Sequence, residues 1–324
     1  MKCRGFSLMS GGLDSQIAVR VLERAGAEVE AICFSSPFFS PDTAVKSAKA
    51  LGIKLNVIDF TADAISLIES PKHGFGGAMN PCIDCHAMMI RRAGELMVER
   101  GFDFIATGEV MGQRPMSQNK QSLGIVERDS GLKGRLVRPL SAKLLEPTIP
   151  EEEGLLDREK LLDIQGRCRD RQIQLASEFG IVEYPSPAGG CKLTEEGFCR
   201  KLKDLKDHET LAERRLVELL GTGRRFRLPG GSSVILGRDR TDNALLKGEK
   251  GDAILAPINC PGPTALIPSL KCEADLELAL ELVCSYSKYD RLQSDIVIQI
   301  FPEGIKRTIP RPYVREKFKE FQIC

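Results

Sequence analysis

The stretch that most constrains the fold is Ser10-Gly11-Gly12-Leu13-Asp14-Ser15. It follows a short apolar run at 6–9 that reads as a strand. It precedes residues 16–22, whose apolar side chains recur at helical spacing. A strand that hands over to a helix through two glycines is a βα unit with its turn at the carboxyl end of the strand. The glycines let the backbone turn tightly and put no Cβ between the amides and a ligand. The N–H groups at the start of the helix suit an anion, and Ser10 and Ser15 bring hydroxyl donors. The turn reads as a phosphate cradle, although it lacks the Gly-Lys-Ser/Thr ending of the Walker loop.

The same alternation continues along the chain. Residues 27–34 and 54–60 read as strands, with a helix at 42–51 between them carrying Ala44, Ala48 and Leu51 on one face. Further strands are expected at 102–107 and 135–140. Strands alternating with helices imply a doubly wound parallel sheet, an α/β fold whose ligands bind at the carboxyl ends of the strands. The charged segment 151–180 reads as helical and carries Arg167, Arg169 and Arg171, either a solvated face or a contact for RNA backbone. Residues 195–220 read as two helices rich in Lys and Arg. A chain of 324 residues suits two domains, expected here at 1–194 and 222–324 with a helical linker at 195–221.

The six residues of the cradle resemble the SGGxDS signature of the PP-loop ATP pyrophosphatases. That family cleaves ATP between the α- and β-phosphates and activates a substrate oxygen as an adenylate. The resemblance implies an adenine nucleotide α-hydrolase-like fold, with ATP and Mg2+ as cofactors. It implies that Ser10, Gly11, Gly12, Asp14 and Ser15 hold the pyrophosphate, and that Asp14 organises magnesium or the phosphate geometry. Asparagine, GMP and NAD synthetases share the signature, so it leaves the substrate open. The run Thr107-Gly108-Glu109 with Gly112-Gln113 and Ser117-Gln118, followed by Arg138-Pro139-Leu140, resembles the 4-thiouridine synthase branch and adds Gly108 to the nucleotide-binding set. The run Asn80-Pro81-Cys82-Ile83-Asp84-Cys85 resembles the tRNA 2-thiouridylase branch. Both branches sulfurate uridines in tRNA, and the resemblance spans roughly the first 195 residues.

The eleven cysteines are expected to be thiols, ligands or catalysts in a reducing compartment. Cys82 and Cys85 form a Cys-x-x-Cys before a helix expected at 87–100. A helix N-terminus lowers a thiol pKa, and the same spacing suits two ligands of one metal or cluster. Cys191 lies in a loop at 184–194 with two prolines and two glycines, and thiouridylases carry a second working cysteine at a comparable place. Three readings compete. Cys85 and Cys191 form a redox pair that passes a persulfide sulfur and closes to a disulfide. Alternatively Cys82, Cys85 and Cys191 hold a four-iron cluster with one open iron, or they hold zinc with His86. The count favours the cluster, since two cysteines suffice for a disulfide and zinc wants a fourth protein ligand. His73 and His208 show no partner pattern.

The remainder of the chain resembles the NFACT-R module, a domain associated with RNA binding. The resemblance rests on Gly237-Arg238 with Thr241-Asp242-Asn243, then Asp252, Pro261-Gly262 and a helix at 278–288. The family's aromatic-histidine pair after the aspartate is absent, so only the fold and an RNA contact carry over. Net charge is only +1, so RNA must meet a local basic face, for which Arg224, Arg225, Arg227, Arg238, Arg240, Lys306, Arg307, Arg311, Arg315, Lys317 and Lys319 are the candidates. Tryptophan is absent, which argues against base stacking as the main mode.

The expected whole is a cytoplasmic, ATP-dependent tRNA sulfurtransferase with a smaller C-terminal α+β domain. No membrane span or leader is expected. Its partners would be tRNA and a sulfur donor, either sulfide or a persulfide carrier protein, and a homodimer is left open. Two rivals remain. A PP-loop ligase or synthase acting on a small molecule would not need an RNA-type domain. A non-catalytic RNA-binding factor with a relic nucleotide fold would not need an intact cradle.

Overall fold

The computed structural model describes residues 3–186, 190–288, 295–310 and 314–323. Two compact units are described, Met1–Thr194 and Glu195–Cys324.

In the first unit β1 (Arg4–Leu8) leads into α1 (Leu13–Arg24), β2 (Glu28–Ser35), α2 (Asp42–Leu51), β3 (Leu55–Asp59), α3 (Thr61–Glu69), α4 (Cys82–Glu99), β4 (Phe104–Thr107), α5 (Lys120–Ser130) and β5 (Leu136–Val137). The strands lie in the order β3-β2-β1-β4-β5, and every neighbouring pair is parallel. The expected doubly wound sheet is therefore the one observed. Strand alternation sends Ala31, Cys33, Phe104 and Ala106 into one core with Leu13, Ile17 and Val21 of α1 and Ala44, Ala48 and Leu51 of α2. Ile32, Phe34 and Ile105, all buried, point to the opposite face, and α4 packs on β1 and β4. Burying a side chain the size of Ile17 stabilises the fold by about 1.5–3 kcal/mol. The chain leaves β1 for β2 and β3 on one side, then returns to β4 on the other. The carboxyl ends of β1 and β4 thus flank the point where the strand order reverses, the crevice in which such sheets bind ligands.

Two expectations about elements are corrected. Helix α4 begins at Cys82 rather than at 87, with Pro81 in the capping position, so both cysteines of the Cys-x-x-Cys lie inside the helix. The segment 151–180 is not one helix. It holds α6 (Ile149–Glu152), a 3-10 turn at Arg158–Lys160, an extended stretch and α7 (Asp170–Glu178). Gly154 and Gly166 adopt positive φ there, and Leu161 and Ile164 of the extended stretch are drawn into the core beneath α1.

The second unit opens with α8 (Glu196–His208) and α9 (Arg214–Glu218). Then come β6 (Arg224–Arg227), β7 (Ser233–Leu236), α10 (Arg240–Leu245), β8 (Ala253–Pro257), β9 (Ala265–Ile267), α11 (Glu273–Tyr286), β10 (Ile296–Phe301), β11 (Ile305–Ile309) and β12 (Gln322–Ile323). The strands form a seven-stranded sheet, β11-β10-β8-β9-β7-β6-β12, in which the pairings are antiparallel. Helix α11 covers the sheet with Leu276, Ala279, Leu280, Val283 and Cys284. Residues 195–221, read from the sequence as a linker, cluster with this unit. Leu202 and Leu205 of α8 are fully buried, and Asp204 pairs with Arg227 of β6 at 2.7 Å.

Candidate active site

The cradle is built by two close backbone approaches. Gly11 has φ +81°, and a Cβ on it would lie 2.5 Å from the Thr43 carbonyl carbon, so the start of α2 crosses directly over the turn. Its carbonyl accepts from Gln16 Nε2 at 3.0 Å and Ser47 Oγ at 3.2 Å, which turns it inward. Gly108 ends β4 against the first turn of α1, where a Cβ would meet Ser15 N at 2.7 Å. The first amides of α1 have no intrahelical acceptor and stay available to an anion. The two serines differ from expectation. Ser15 Oγ donates to the Gly12 carbonyl at 2.8 Å and is buried, so its hydroxyl locks the turn rather than facing a ligand. Ser10 is exposed, and its Oγ accepts from Gly12 N at 3.3 Å, leaving its own proton to donate. Gly12 sits at φ −69°, not in the left-handed region.

Asp14 projects from the first turn of α1. Its Oδ2 accepts from Gln113 Nε2 at 3.1 Å, and its Oδ1 is buried without a partner. Burial pushes its carboxyl pKa up, against the pull of Gln113 and of the Arg169 and Arg114 charges. An orphaned carboxylate oxygen beside helix amides fits Mg2+, which is commonly held by one or two carboxylates with substrate phosphates supplying further ligands.

Cys82 and Cys85 stand in the first turn of α4, and Cys82 Sγ donates to Asn80 Oδ1 at 3.1 Å. Burial raises the Cys85 thiol well above its usual range, and the nearby Cys191, Cys82 and Asp84 raise it further. Burial raises Cys82 too, against Arg114 and Asn80. The expected activation by the helix N-terminus is thus outweighed by desolvation, and both resting groups are thiols. Cys191 belongs to a segment pinned at each end. Glu183 O accepts from Gln16 Nε2 of α1 at 3.1 Å, and Lys192 N donates to Phe38 O beyond β2 at 2.9 Å. Pro187, Ala188 and Gly189 of the expected loop lie outside the described residues. Cys85 lies close enough to both Cys191 and Cys82 to feel their charge. Among the described residues, however, no group of three His, Cys, Asp or Glu side chains is arranged to hold a metal ion. His86 is turned away from the thiols, its Nδ1 lying 3.0 Å from Glu109 Oε1.

The Thr-Gly-Glu and Arg-Pro-Leu runs meet in a buried network. Glu109 accepts from Arg138 Nε and Thr107 Oγ1, each at 3.0 Å, and Arg138 also donates to Leu123 O. Burial would raise the Glu109 carboxyl, yet Arg138 and His86 hold it at about 2. A carboxylate with a depressed pKa stabilises the fold above its unfolded pKa of about 4.3. That contribution should fade as pH falls from there toward about 2. Glu109→Gln, which removes the nearer of Arg138's two carboxylate partners and leaves Glu127 at 3.3 Å, should cost about 1–3 kcal/mol at neutral pH. Its deficit should narrow in denaturant titrations near pH 3; an equal deficit at both pH values would refute this account.

Sequence reasoning quoted Gln113 within a motif without giving it a role, and it missed Arg114, Gln172 and the position of Arg169. The Arg114 charge is felt both by Asp14 and by Cys82, so one guanidinium neighbours both the cradle and the first turn of α4. An open groove of about 430 Å3, lined by Arg24, Lys143, Lys160 and Arg171 among others, adjoins the last turn of α1, away from this chemistry.

The basic residues of the second unit are mostly committed. Arg225 is buried, and burial lowers its pKa to about 10. Arg227 pairs with Asp204 and Glu209, Arg238 with Asp242, Arg307 with Glu273, Lys317 with Glu281 and Lys319 with Glu316. Arg224 and Arg315 lie over the Tyr286 ring, with guanidinium carbons 5.1 and 4.0 Å from its centroid. Arg240 and Lys306 are exposed with no ion pair among the described residues, and Arg311 lies outside them. The continuous basic face expected from the sequence is thus reduced to a few uncommitted cations.

A parallel sheet with a glycine cradle at its switch point defines a doubly wound α/β domain of the kind that binds its ligand in that crevice. Residues 1–143 match the family model described as thiamine biosynthesis protein (ThiI), and residues 223–315 match that described as NFACT protein RNA binding domain. The first unit is thus similar to the ThiI model over most of its length, and the second to the NFACT model. A probable tRNA sulfurtransferase of Caldanaerobacter subterraneus is 31% identical over 41% of this chain and 35% of its own. The tRNA-specific 2-thiouridylase of Sulfurimonas denitrificans is 33% identical over 31% of this chain and 32% of its own. The chain therefore spans about a third of the length of these curated relatives. A solved 4-thiouridine synthetase–RNA complex with bound ATP is 20% identical, covering 55% of this chain and 52% of that one, with a TM-score of 0.35, too low to argue from. Among the described residues no helix is long and apolar enough to cross a membrane.

Proposed function

We propose that this protein is an ATP-dependent tRNA sulfurtransferase of the cytoplasm. The observation that carries the reading is the shared neighbour: the Arg114 charge is felt by both Asp14 in the cradle and Cys82, one helical turn before Cys85. The ThiI and NFACT matches support ATP and RNA as the substrates. The amides of Gly11 to Ser15 hold the phosphates, and Asp14 Oδ1 holds Mg2+, which when bound neutralises the leaving pyrophosphate. The uridine carbonyl oxygen attacks the α-phosphate and expels pyrophosphate, leaving an O-adenylate. The terminal sulfur of a persulfide on Cys191, loaded by a carrier protein or from sulfide and an oxidant, attacks the activated carbon and AMP leaves. Cys85 then attacks the Cys191 sulfur, which frees the thiouridine and forms a Cys85–Cys191 disulfide. A cellular dithiol reduces that bond before the next turnover. The test is mass analysis of nucleosides from tRNA incubated with protein, ATP and sulfur donor. Absence of thiouridine with a persulfide-loaded donor present would refute the reading.

RNA binding has its own expected outcome. Arg240→Glu with Lys306→Glu should weaken tRNA binding and lower its salt slope by about 2, one counterion for each lost phosphate contact. Arg238→Glu should instead lower thermal stability by about 1–3 kcal/mol, because buried Asp242 loses its partner. Titrations from 50 to about 200 mM salt distinguish these, and an unchanged slope in the double variant would remove both residues from the interface.

A further inference from the structure

The proposed function leaves unexplained a set of buried polar atoms at the mouth of the cradle. Asp14 Oδ1, both amide atoms of Gln172 and Nε of Arg169 are all buried without hydrogen-bond partners. Gln172 is 0% exposed. Its amide lies close enough to the Asp14 carboxylate to lower that carboxyl's pKa without reaching hydrogen-bond geometry, and the Arg169 charge is felt there too. Native folds keep few such orphans, and each costs free energy, so several converging on one carboxylate mark a place where a ligand completes the bonding.

The elements explain the convergence. Helix α7, which carries Gln172, packs against α1, which carries Asp14. Arg169 caps α7. The segment leading to it is tied to the loop of Gln113 and Arg114, because Gly166 N donates to Met111 O at 2.8 Å. Two arginines, an amide with both atoms open and a carboxylate with one open oxygen call for a ligand rich in acceptor oxygens that carries a cation. A magnesium-bound polyphosphate meets all of these requirements. A monophosphate seated on the helix amides would leave Arg169 and Gln172 unmet.

We propose that Arg169 and Gln172 close the phosphate site from the α7 side and hold the pyrophosphate end of the bound nucleoside triphosphate against Asp14. Arg169 offsets the charge that grows on the departing pyrophosphate, and Gln172 bonds both the carboxylate and a phosphate oxygen. This rests on the reading of the cradle as an ATP site. It turns the arginines at 167–171, which the sequence left between a solvated face and an RNA contact, into a division: Arg171 pairs with Asp163 at 2.7 Å, while Arg169 serves the nucleotide.

The test is calorimetric titration of the full chain with magnesium pyrophosphate, magnesium ATP and AMP, for the wild type, Arg169→Ala, Arg169→Lys and Gln172→Leu. The wild type should bind all three. Arg169→Ala should weaken pyrophosphate and ATP by about tenfold or more and leave AMP unchanged, with Arg169→Lys in between. Gln172→Leu is read the same way if it folds; Arg169, only partly buried, decides the matter if it does not. Unchanged pyrophosphate affinity in Arg169→Ala, or an equal loss for AMP, would overturn the proposal while leaving the ATP site standing. A wild type that binds neither ATP nor pyrophosphate would overturn the ATP reading and this proposal with it.

Discussion

Cys85→Ala and Cys191→Ala should each abolish thiouridine formation, while Cys82→Ala keeps substantial activity. The expectation follows from the chemistry of a pair: one sulfur is handed to the substrate and one thiol releases it, so neither can be spared. Cys82 bonds Asn80 and no metal-holding group forms among the described residues, so its loss removes a neighbour rather than a reactant. Oxidation of the wild type should trap a Cys85–Cys191 disulfide, which requires their Cα atoms to come within about 7 Å. All three variants should still bind ATP, since the cradle lies on a separate turn. Metal content is the decisive companion measurement. Anaerobically purified protein should carry neither stoichiometric zinc nor iron with sulfide. A Cys82→Ala protein that lost iron and thiolation together would restore the cluster and sink the pair.

Gly11→Ala and Gly108→Ala should lose ATP binding, and Gly12→Ala should keep it. A methyl at Gly11 would combine left-handed backbone strain with a 2.5 Å approach to the Thr43 backbone. One at Gly108 would press on Ser15 N at 2.7 Å and push the first turn of α1 off the sheet. Neither neighbour is a side chain that can swing aside. Overpacking of this kind costs about 1–3 kcal/mol or more. A shift of about 1 Å in the binding amides is also enough to lower the rate of a reaction at the site by about a hundredfold. Gly12 differs: its φ is −69°, and a methyl would meet nothing nearer than Ser10 Oγ at 3.4 Å. Nucleotide titration with a thermal melt for each variant checks the ranking. Full ATP affinity in Gly108→Ala would show that β4 does not set the position of α1.

The cradle was legible in the sequence because its information is local. Two glycines between a strand and a helix specify a turn within six residues, and the alternation of strands and helices specifies a parallel sheet with that turn at its carboxyl edge. The Thr-Gly-Glu and Arg-Pro-Leu runs were equally visible as motifs. That they meet, through Glu109 and Arg138 in one buried ion pair, depends on β4 and β5 being neighbours. What failed was whatever depended on burial or on contacts between distant segments. The Cys-x-x-Cys promised lowered thiol pKa values from a helix end, and desolvation reversed the sign. The basic residues of the second unit promised a face, but most of them are paired with carboxylates or buried. The segment 151–180 promised a helix from composition, but core demand at Leu161 and Ile164 and two left-handed glycines broke it. Sequence by itself determined the sheet and the turn that forms the cradle, since these rest on near-neighbour patterns. Only the tertiary structure decided which charges remain uncommitted, which thiols are desolvated and which side chains from α7 reach Asp14, because each of those depends on what the rest of the chain packs around the group.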